Sequence, residues 1–137
     1  MPKMTGTEIE EFLGLPLLSN LATLKPDGAP HVAPVWHLYS GQQLLILSGP
    51  SSVKINNLRH DPRVSISIPR ETDPSGFVQV NGTVELSVDW KKNILWDMAI
   101  NYMGKEEGEL YAKETFRTME FVLITVTVTK IAGWIFP

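Results

Sequence analysis

The sequence predicts a mainly β, α+β chain in which about six antiparallel strands curl into a closed or nearly closed barrel, with short helices outside it. Three observations carry this. Residues 18–48 hold three strand-like runs separated only by tight-turn residues. Arg63–Ile68 and Glu120–Thr129 alternate apolar and polar side chains at the strand period of two. Helical periodicity is confined to short stretches between them. A barrel this small is filled by its own side chains, so a ligand binds outside it, and a groove between two subunits is the natural place.

Each element has its own signal. Thr5 and Glu8 have capping-box spacing, and Ile9, Phe12 and Leu13 follow at helical spacing until Pro16 ends the helix. Leu18–Leu24 and Pro30–Tyr39 flank Lys25-Pro26-Asp27-Gly28, where Pro26 presets the first turn dihedral and Gly28 takes the positive φ that closes a hairpin. A third strand, Gln43–Ser48, follows the turn at Ser40-Gly41. Ser51 or Ser52 caps a helix running to about His60 with Ile55 and Leu58 inward, and Asp61-Pro62 stops it because the residue before proline avoids helical dihedrals. Val64, Ile66 and Ile68 share one face of the next strand.

Pro69–Gly76 reads as a polar loop, and Phe77–Val88 as a long strand in which Gly82 marks a bulge or a close backbone approach. Asp89 is placed to cap a helix from Trp90 to about Met103, with Ile94, Leu95, Met98 and Tyr102 as its apolar stripe. Gly104–Gly108 breaks it, and Glu109–Thr115 forms another helical turn or two. Glu120–Thr129 is a strand with Val122, Ile124, Val126 and Val128 inward, and Lys130–Trp134 continues or returns along the sheet. No internal repeat or low-complexity segment interrupts this order, so residues 1–137 are expected to form a single domain.

Composition excludes several classes. The chain has 137 residues, 43% apolar and 20% charged, as ordinary globular proteins do. A formal net charge of -3 argues against a general nucleic-acid binder. The lack of cysteine removes disulfides, thiolate metal sites, iron–sulfur clusters and cysteine nucleophiles together. Met1–Glu11 is polar and acidic rather than signal-like, and no run approaches the roughly 20 apolar residues of a membrane span, so a cytoplasmic protein without membrane partners is expected. His31 and His37 lie six residues apart on one predicted strand, about 20 Å, too far to share a metal ion. There is no Gly-x-Ser-x-Gly elbow for a nucleophilic serine. Glu106, Glu107 and Glu109 read as a solvated helix connection.

The segment with the most chemistry is Ile46–Asn57: a strand, a short turn and a helix start. A helix N-terminus offers unpaired N–H groups and a partial positive charge to an anion. Ser48, Ser51 and Ser52 add hydroxyls, and Lys54 adds a full charge that opposes the helix dipole unless an anion sits there. Residue chemistry leaves two readings open, a phosphate site and a capped surface helix with one solvated lysine.

Leu21-Ala22-Thr23-Leu24 through Asp27-Gly28-Ala29-Pro30, Pro34-Val35-Trp36, Ser52-Val53-Lys54, and Asn57-Leu58-Arg59-His60-Asp61-Pro62-Arg63-Val64 together resemble the pyridoxamine-phosphate-oxidase-like family. Its branch of FMN- or coenzyme F-420-dependent reductases is the most similar, over about Leu18–Trp134. The resemblance implies a six-stranded antiparallel split β-barrel with short peripheral helices, working as a homodimer with cofactors at the interface. It implies that Ser52, Lys54 and Asn57 grip the cofactor phosphate. Pro34, Val35 and Trp36 would lie along the flavin-like ring, with Leu47 and Ser48 beside them and Gln79 and Gly82 in the ring-binding region.

The activity so implied is hydride transfer from coenzyme F-420 to a small organic acceptor, or, with FMN in its place, the same fold as an FMN reductase. A non-catalytic flavin- or haem-binding protein is the reading from another class. No catalytic acid is evident. His37 and Tyr39 are the titratable groups nearest the expected ring, while Trp36, Trp90, Trp96, Tyr102 and Tyr111 read mostly as core or dimer-contact aromatics. The oxidase proper holds its substrate phosphate with a further C-terminal segment carrying arginine and histidine. Here the sequence ends Ile135-Phe136-Pro137, so pyridoxamine phosphate oxidation itself is not expected.

Overall fold

The computed structural model describes residues 1–136. The opening helix α1 (Gly6–Leu13) starts from the expected capping box, with Thr5 and Glu8 each accepting the other's backbone N–H, and it buries Phe12 and Leu13. Strands β1 (Ser19–Leu24) and β2 (Pro30–Val35) form the expected hairpin, closed by Gly28 N–H donating to Lys25 O at 2.8 Å with Gly28 at φ 88°. Next come β3 (Leu38–Ser40), β4 (Gln43–Ser48) and helix α2 (Val53–His60), whose N-cap is Ser52 and whose buried residues include Ile55 and Leu58. Strands β5 (Arg63–Arg70) and β6 (Gly76–Ser87), helices α3 (Asn93–Met103) and α4 (Lys105–Thr118), and strand β7 (Val122–Ile135) complete the order.

Among the described residues the strands form one antiparallel sheet of seven, in the order β2-β1-β5-β6-β7-β4-β3. The expected count of six is corrected here. Pro30–Tyr39 is not one strand: it divides at Trp36-His37 into β2 and β3, which are the two opposite edges of the sheet. Two edges joined by two residues force the sheet to curl back on itself as a half-barrel. Apolar alternation cannot show this step, because both halves keep strand character and differ only in their pairing partner. The backbone N–H of His37 leaves the ladder and donates to the Tyr102 hydroxyl at 3.0 Å.

Three boundaries also differ from expectation. The polar loop shrinks to Glu71–Ser75, because the β5–β6 ladder extends to Arg70 and Gly76. Asp89 does not cap α3; the helix begins after Lys92 without a side-chain cap, since Trp90 first docks its indole N–H on Phe121 O at 3.1 Å. Gly104, at φ 89°, is the whole break between α3 and α4. Gly108 instead lies inside α4, where a Cβ would come within 2.6 Å of Ile100 Cα, so it lets the two helices meet closely. Residues 130–134 continue β7, as the first of the two expected courses has it.

The interior matches the alternation. Val64, Ile66 and Ile68 from β5, Val78 and Val80 from β6, and Val122, Ile124 and Val126 from β7 are buried together with Leu21, Leu44 and Ile46. Phe12 and Leu13 of α1 and Ile55 and Leu58 of α2 join the same cluster. The curled sheet is therefore packed with side chains. Gly82 sits at a register shift between β6 and β7, where a Cβ would lie 2.4 Å from Thr127 O. A second cluster, Leu95, Ala99 and Ala112, lies under the α3–α4 pair and takes in Trp36, Leu47, Trp90, Trp96 and Phe121. No described helix is long and apolar enough to cross a membrane.

Candidate functional site

The strand-to-helix turn at Ser48 is built from local chemistry. Ser48 ends β4 opposite Val122, and Ser52 N–H donates to Gly49 O at 3.1 Å, which tightens the turn through Pro50 and Ser51. Ser52 caps α2, its hydroxyl accepting the Ile55 N–H at 3.4 Å, and its oxygen is 2.9 Å from the Ser48 hydroxyl oxygen. Only one of the two hydroxyl protons is needed for that mutual bond, so the pair keeps one O–H to donate elsewhere. The Val53 and Lys54 N–H groups belong to the first helical turn and have no acceptor within the helix.

Lys54 is half-buried, and neither ion pair among the described residues includes it. Its charge at the positive end of the helix is electrostatically unfavourable until an anion arrives. Hydroxyl, amide and ammonium donors at one helix start are a donor set suited to a phosphate. The residues present fit that group.

Asn57 is placed differently from the other two members of its motif. It is 1% exposed, and its side-chain amide donates to Thr23 Oγ1 at 3.0 Å, tying α2 to β1. The side chain braces the helix whose first turn carries Ser52 and Lys54. Thr23 had no signal of its own in the sequence; it reads there as one more strand residue.

The remaining expected residues divide between two surfaces. Val35 faces the core and Pro34 is exposed on the other side of β2. Pro34 pairs with Asn20, Asn20 with Ser67, and Ser67 with Gln79, so Pro34 and Gln79 share one register row across β2-β1-β5-β6. Cross-strand partners point to the same face, and three strand spacings put these two about 14 Å apart. Gln79 donates to Ser65 Oγ at 2.7 Å, and Ser65 donates to Asn81 at 2.9 Å, a polar chain on that outer face. Trp36 and Leu47 meet instead under α3–α4, where Trp36 stacks on Tyr102 with ring centroids 4.7 Å apart and planes 11° from parallel.

His37 is 1% exposed and both its ring nitrogens are engaged: Nε2–H donates to Leu13 O at 2.8 Å, and Nδ1 is 2.6 Å from Ser19 Oγ. Burial lowers its pKa below the ordinary 6.5, against the Leu13 hydrogen bond, which raises it. A ring held this way is a structural fixture. Tyr39 donates to Glu10 at 2.8 Å on the surface; partial desolvation first, and the Glu10 contact next, raise its pKa. Burial likewise raises Tyr102, whose hydroxyl donates to Leu17 O at 2.7 Å. Of these, Tyr102 reads from sequence as a stripe residue and a core or dimer-contact aromatic, without its hydrogen-bonding role, because its partners lie 65 and 85 residues away.

A curled antiparallel sheet closed by the β2–β3 step, with helices packed outside it and a donor-rich helix start at Ser48–Lys54, defines a split-barrel protein. The model of the pyridoxamine 5'-phosphate oxidase family matches residues 5–135, and the chain belongs to that family. It is similar to a conserved hypothetical protein from Mycobacterium tuberculosis, at 24% identity and TM-score 0.83, covering 96% of this chain and 85% of that one. It is similar to an F420 reductase at 25% identity and TM-score 0.71, covering 89% and 94%. A FAD-binding protein from Mesorhizobium loti shares the fold at 22% identity and TM-score 0.68, covering 96% and 93%. No curated protein sequence matches the chain.

Proposed function

We propose that this protein is an oxidoreductase that binds coenzyme F-420 and transfers hydride to a small organic acceptor, with the cofactor held between two copies of the chain in the cytoplasm. The observation that carries the reading is the α2 start: a Ser48–Ser52 hydroxyl pair, free first-turn amides and a half-buried Lys54 with no carboxylate partner among the described residues. Likeness to an F420 reductase over 89% of this chain supports the choice of coenzyme. When bound, the deazaflavin supplies the hydride chemistry.

The chain's own residues orient that chemistry. Ser48, Ser52 and Lys54 hold the phosphate, and Asn57 holds the helix that carries them. Pro34, Val35, Trp36, Leu47 and Gln79 are the proposed neighbours of the ring. Of these, Pro34 and Gln79 offer an open sheet face, whereas Val35, Trp36 and Leu47 act by fixing the strands on either side. No residue is assigned as a catalytic acid. Pyridoxamine phosphate oxidation is not part of the proposal.

FMN is the second reading, because the same helix start accepts either phosphate. A fluorescence and absorbance titration of the purified chain with coenzyme F-420, FMN and haem tests all three. Saturable binding of F-420 in preference to FMN supports the proposal. Preference for FMN selects the second reading, a Soret band on adding haem selects a haem-binding protein, and binding of neither flavin overturns the oxidoreductase assignment.

A further inference from the structure

The α3–α4 side of the molecule carries an aromatic cavity that the flavin reading does not use. Its volume is about 440 Å³, and Val88, Trp90, Phe116, Met119, Glu120 and Phe121 line it together with Pro50 and Val122. That volume falls within the roughly 300–1,000 Å³ of small-molecule sites. The Trp90 ring stands at 87° to Phe116 and 64° to Phe121, with centroids 6.2 and 6.3 Å away. Trp90 thus stands inclined to both phenylalanine rings, and the three rings line one space. Trp90 is fixed in place by its indole bond to Phe121 O.

The charge pattern selects what such a space would hold. Glu120 is the one charged residue among the lining residues, and neither described ion pair includes it. The negative faces of aromatic rings attract cations, and a carboxylate on the rim adds to that attraction. The same aromatic cluster already takes a cation from the protein: Lys92 Nζ lies 5.9 Å from the centroid of Trp96, whose ring packs at 65° against Phe116. Phe116 is 47% exposed and Met119 54%, so the mouth is open to solvent while Trp90 and Phe121 form the deeper walls.

We propose that this cavity is a binding site for a small organic cation of the alkylated-ammonium class, held against Trp90, Phe116 and Phe121 with Glu120 as its counter-charge. The cavity adjoins the cofactor assignment through Pro50 and through Val122, the β7 partner of Ser48, but takes none of its proposed phosphate-holding side chains.

Choline is a suitable probe, with 3,3-dimethyl-1-butanol as its neutral isostere, both titrated calorimetrically into the full chain. Choline is expected to bind saturably and the alcohol about tenfold or more weaker, the difference a desolvated cation–π site gives. Glu120→Gln and Phe116→Ala are each expected to weaken choline several-fold, Glu120→Gln with an unchanged unfolding midpoint because position 120 is exposed, and Phe116→Ala with a lowered one because its ring packs on Trp90 and Trp96. The Trp90 indole N–H resonance is expected to shift with choline occupancy. Absence of saturable choline binding, equal binding of the neutral isostere, full retention of affinity in Glu120→Gln, or binding without a shift of the Trp90 resonance overturns the proposal.

Discussion

The hydroxyl of Tyr102 accepts the backbone N–H of His37 at 3.0 Å and donates to Leu17 O at 2.7 Å, so one side chain of α3 ties the sheet's closing step to the segment that leads into β1. Tyr102 also carries the stacked indole of Trp36, the other residue of that step. Tyr102→Phe keeps the ring and removes the oxygen, leaving the His37 N–H and Leu17 C=O without their partner. A loss of about 1–3 kcal/mol is expected, the cost of orphaned buried polar groups. Urea denaturation checks it: a lower midpoint at constant slope is the expected result.

His37 makes stability depend on pH in a set direction. Its folded pKa is held below 6.5 by burial, so the unfolded chain takes up a proton there more readily than the folded one. Stability rises with pH wherever the unfolded state binds more protons. The contribution is therefore complete above pH 6.5 and is lost as the pH falls from there toward the folded pKa. Unfolding measured from pH 7.5 to 5 is expected to show this decline, and His37→Gln is expected to flatten it even though it lowers stability at pH 7.5.

Lys54→Ala is expected to weaken cofactor binding by about 1.5–3 kcal/mol, as for loss of a charge-assisted hydrogen bond. The unfolding midpoint should hold or rise, since a cation is removed from the positive end of α2. Fluorescence titration and thermal unfolding read the two effects separately. Unchanged cofactor affinity would place the phosphate elsewhere.

Asn57→Ala should behave in the opposite sense. The side chain is buried against Thr23, and its removal leaves the Thr23 hydroxyl without that donor beside a small cavity. A stability loss of about 1–3 kcal/mol is expected. Any loss of cofactor affinity should be recovered in part at low temperature, where α2 is held. A stable variant with lost affinity would make Asn57 a direct phosphate contact.

Gly108→Ala sets two effects against each other. Alanine favours a helix interior by up to about 1 kcal/mol, but a Cβ here meets the Ile100 backbone at 2.6 Å. Backbone cannot yield as a flexible side chain does, so overpacking of about 1–3 kcal/mol is expected to win. Near-ultraviolet circular dichroism should change with it, because Trp36, Trp90 and Trp96 pack at this helix pair.

What the sequence determined by itself was local. The Thr5–Glu8 capping box, the Gly28 hairpin, the serine cap of α2 (Ser52 of the two serines offered) and the inward alternation of Val64, Ile66 and Ile68 all depend on neighbours a few residues away, and each stands in the structure. The bulge at Gly82 was legible for the same reason. Tertiary structure decided what depends on distant partners. Trp36-His37 is a crossing between sheet edges rather than mid-strand because Tyr102, 65 residues on, takes the His37 N–H. Asn57 points inward because Thr23, 34 residues back, meets it. Pro34 and Gln79 share a face only through two intervening strands. The donors of the proposed phosphate site at Ser48–Lys54 were readable because a helix start carries them within one turn. The surroundings of Trp36 were not, because strand alternation tells a side chain's face and never what packs against it.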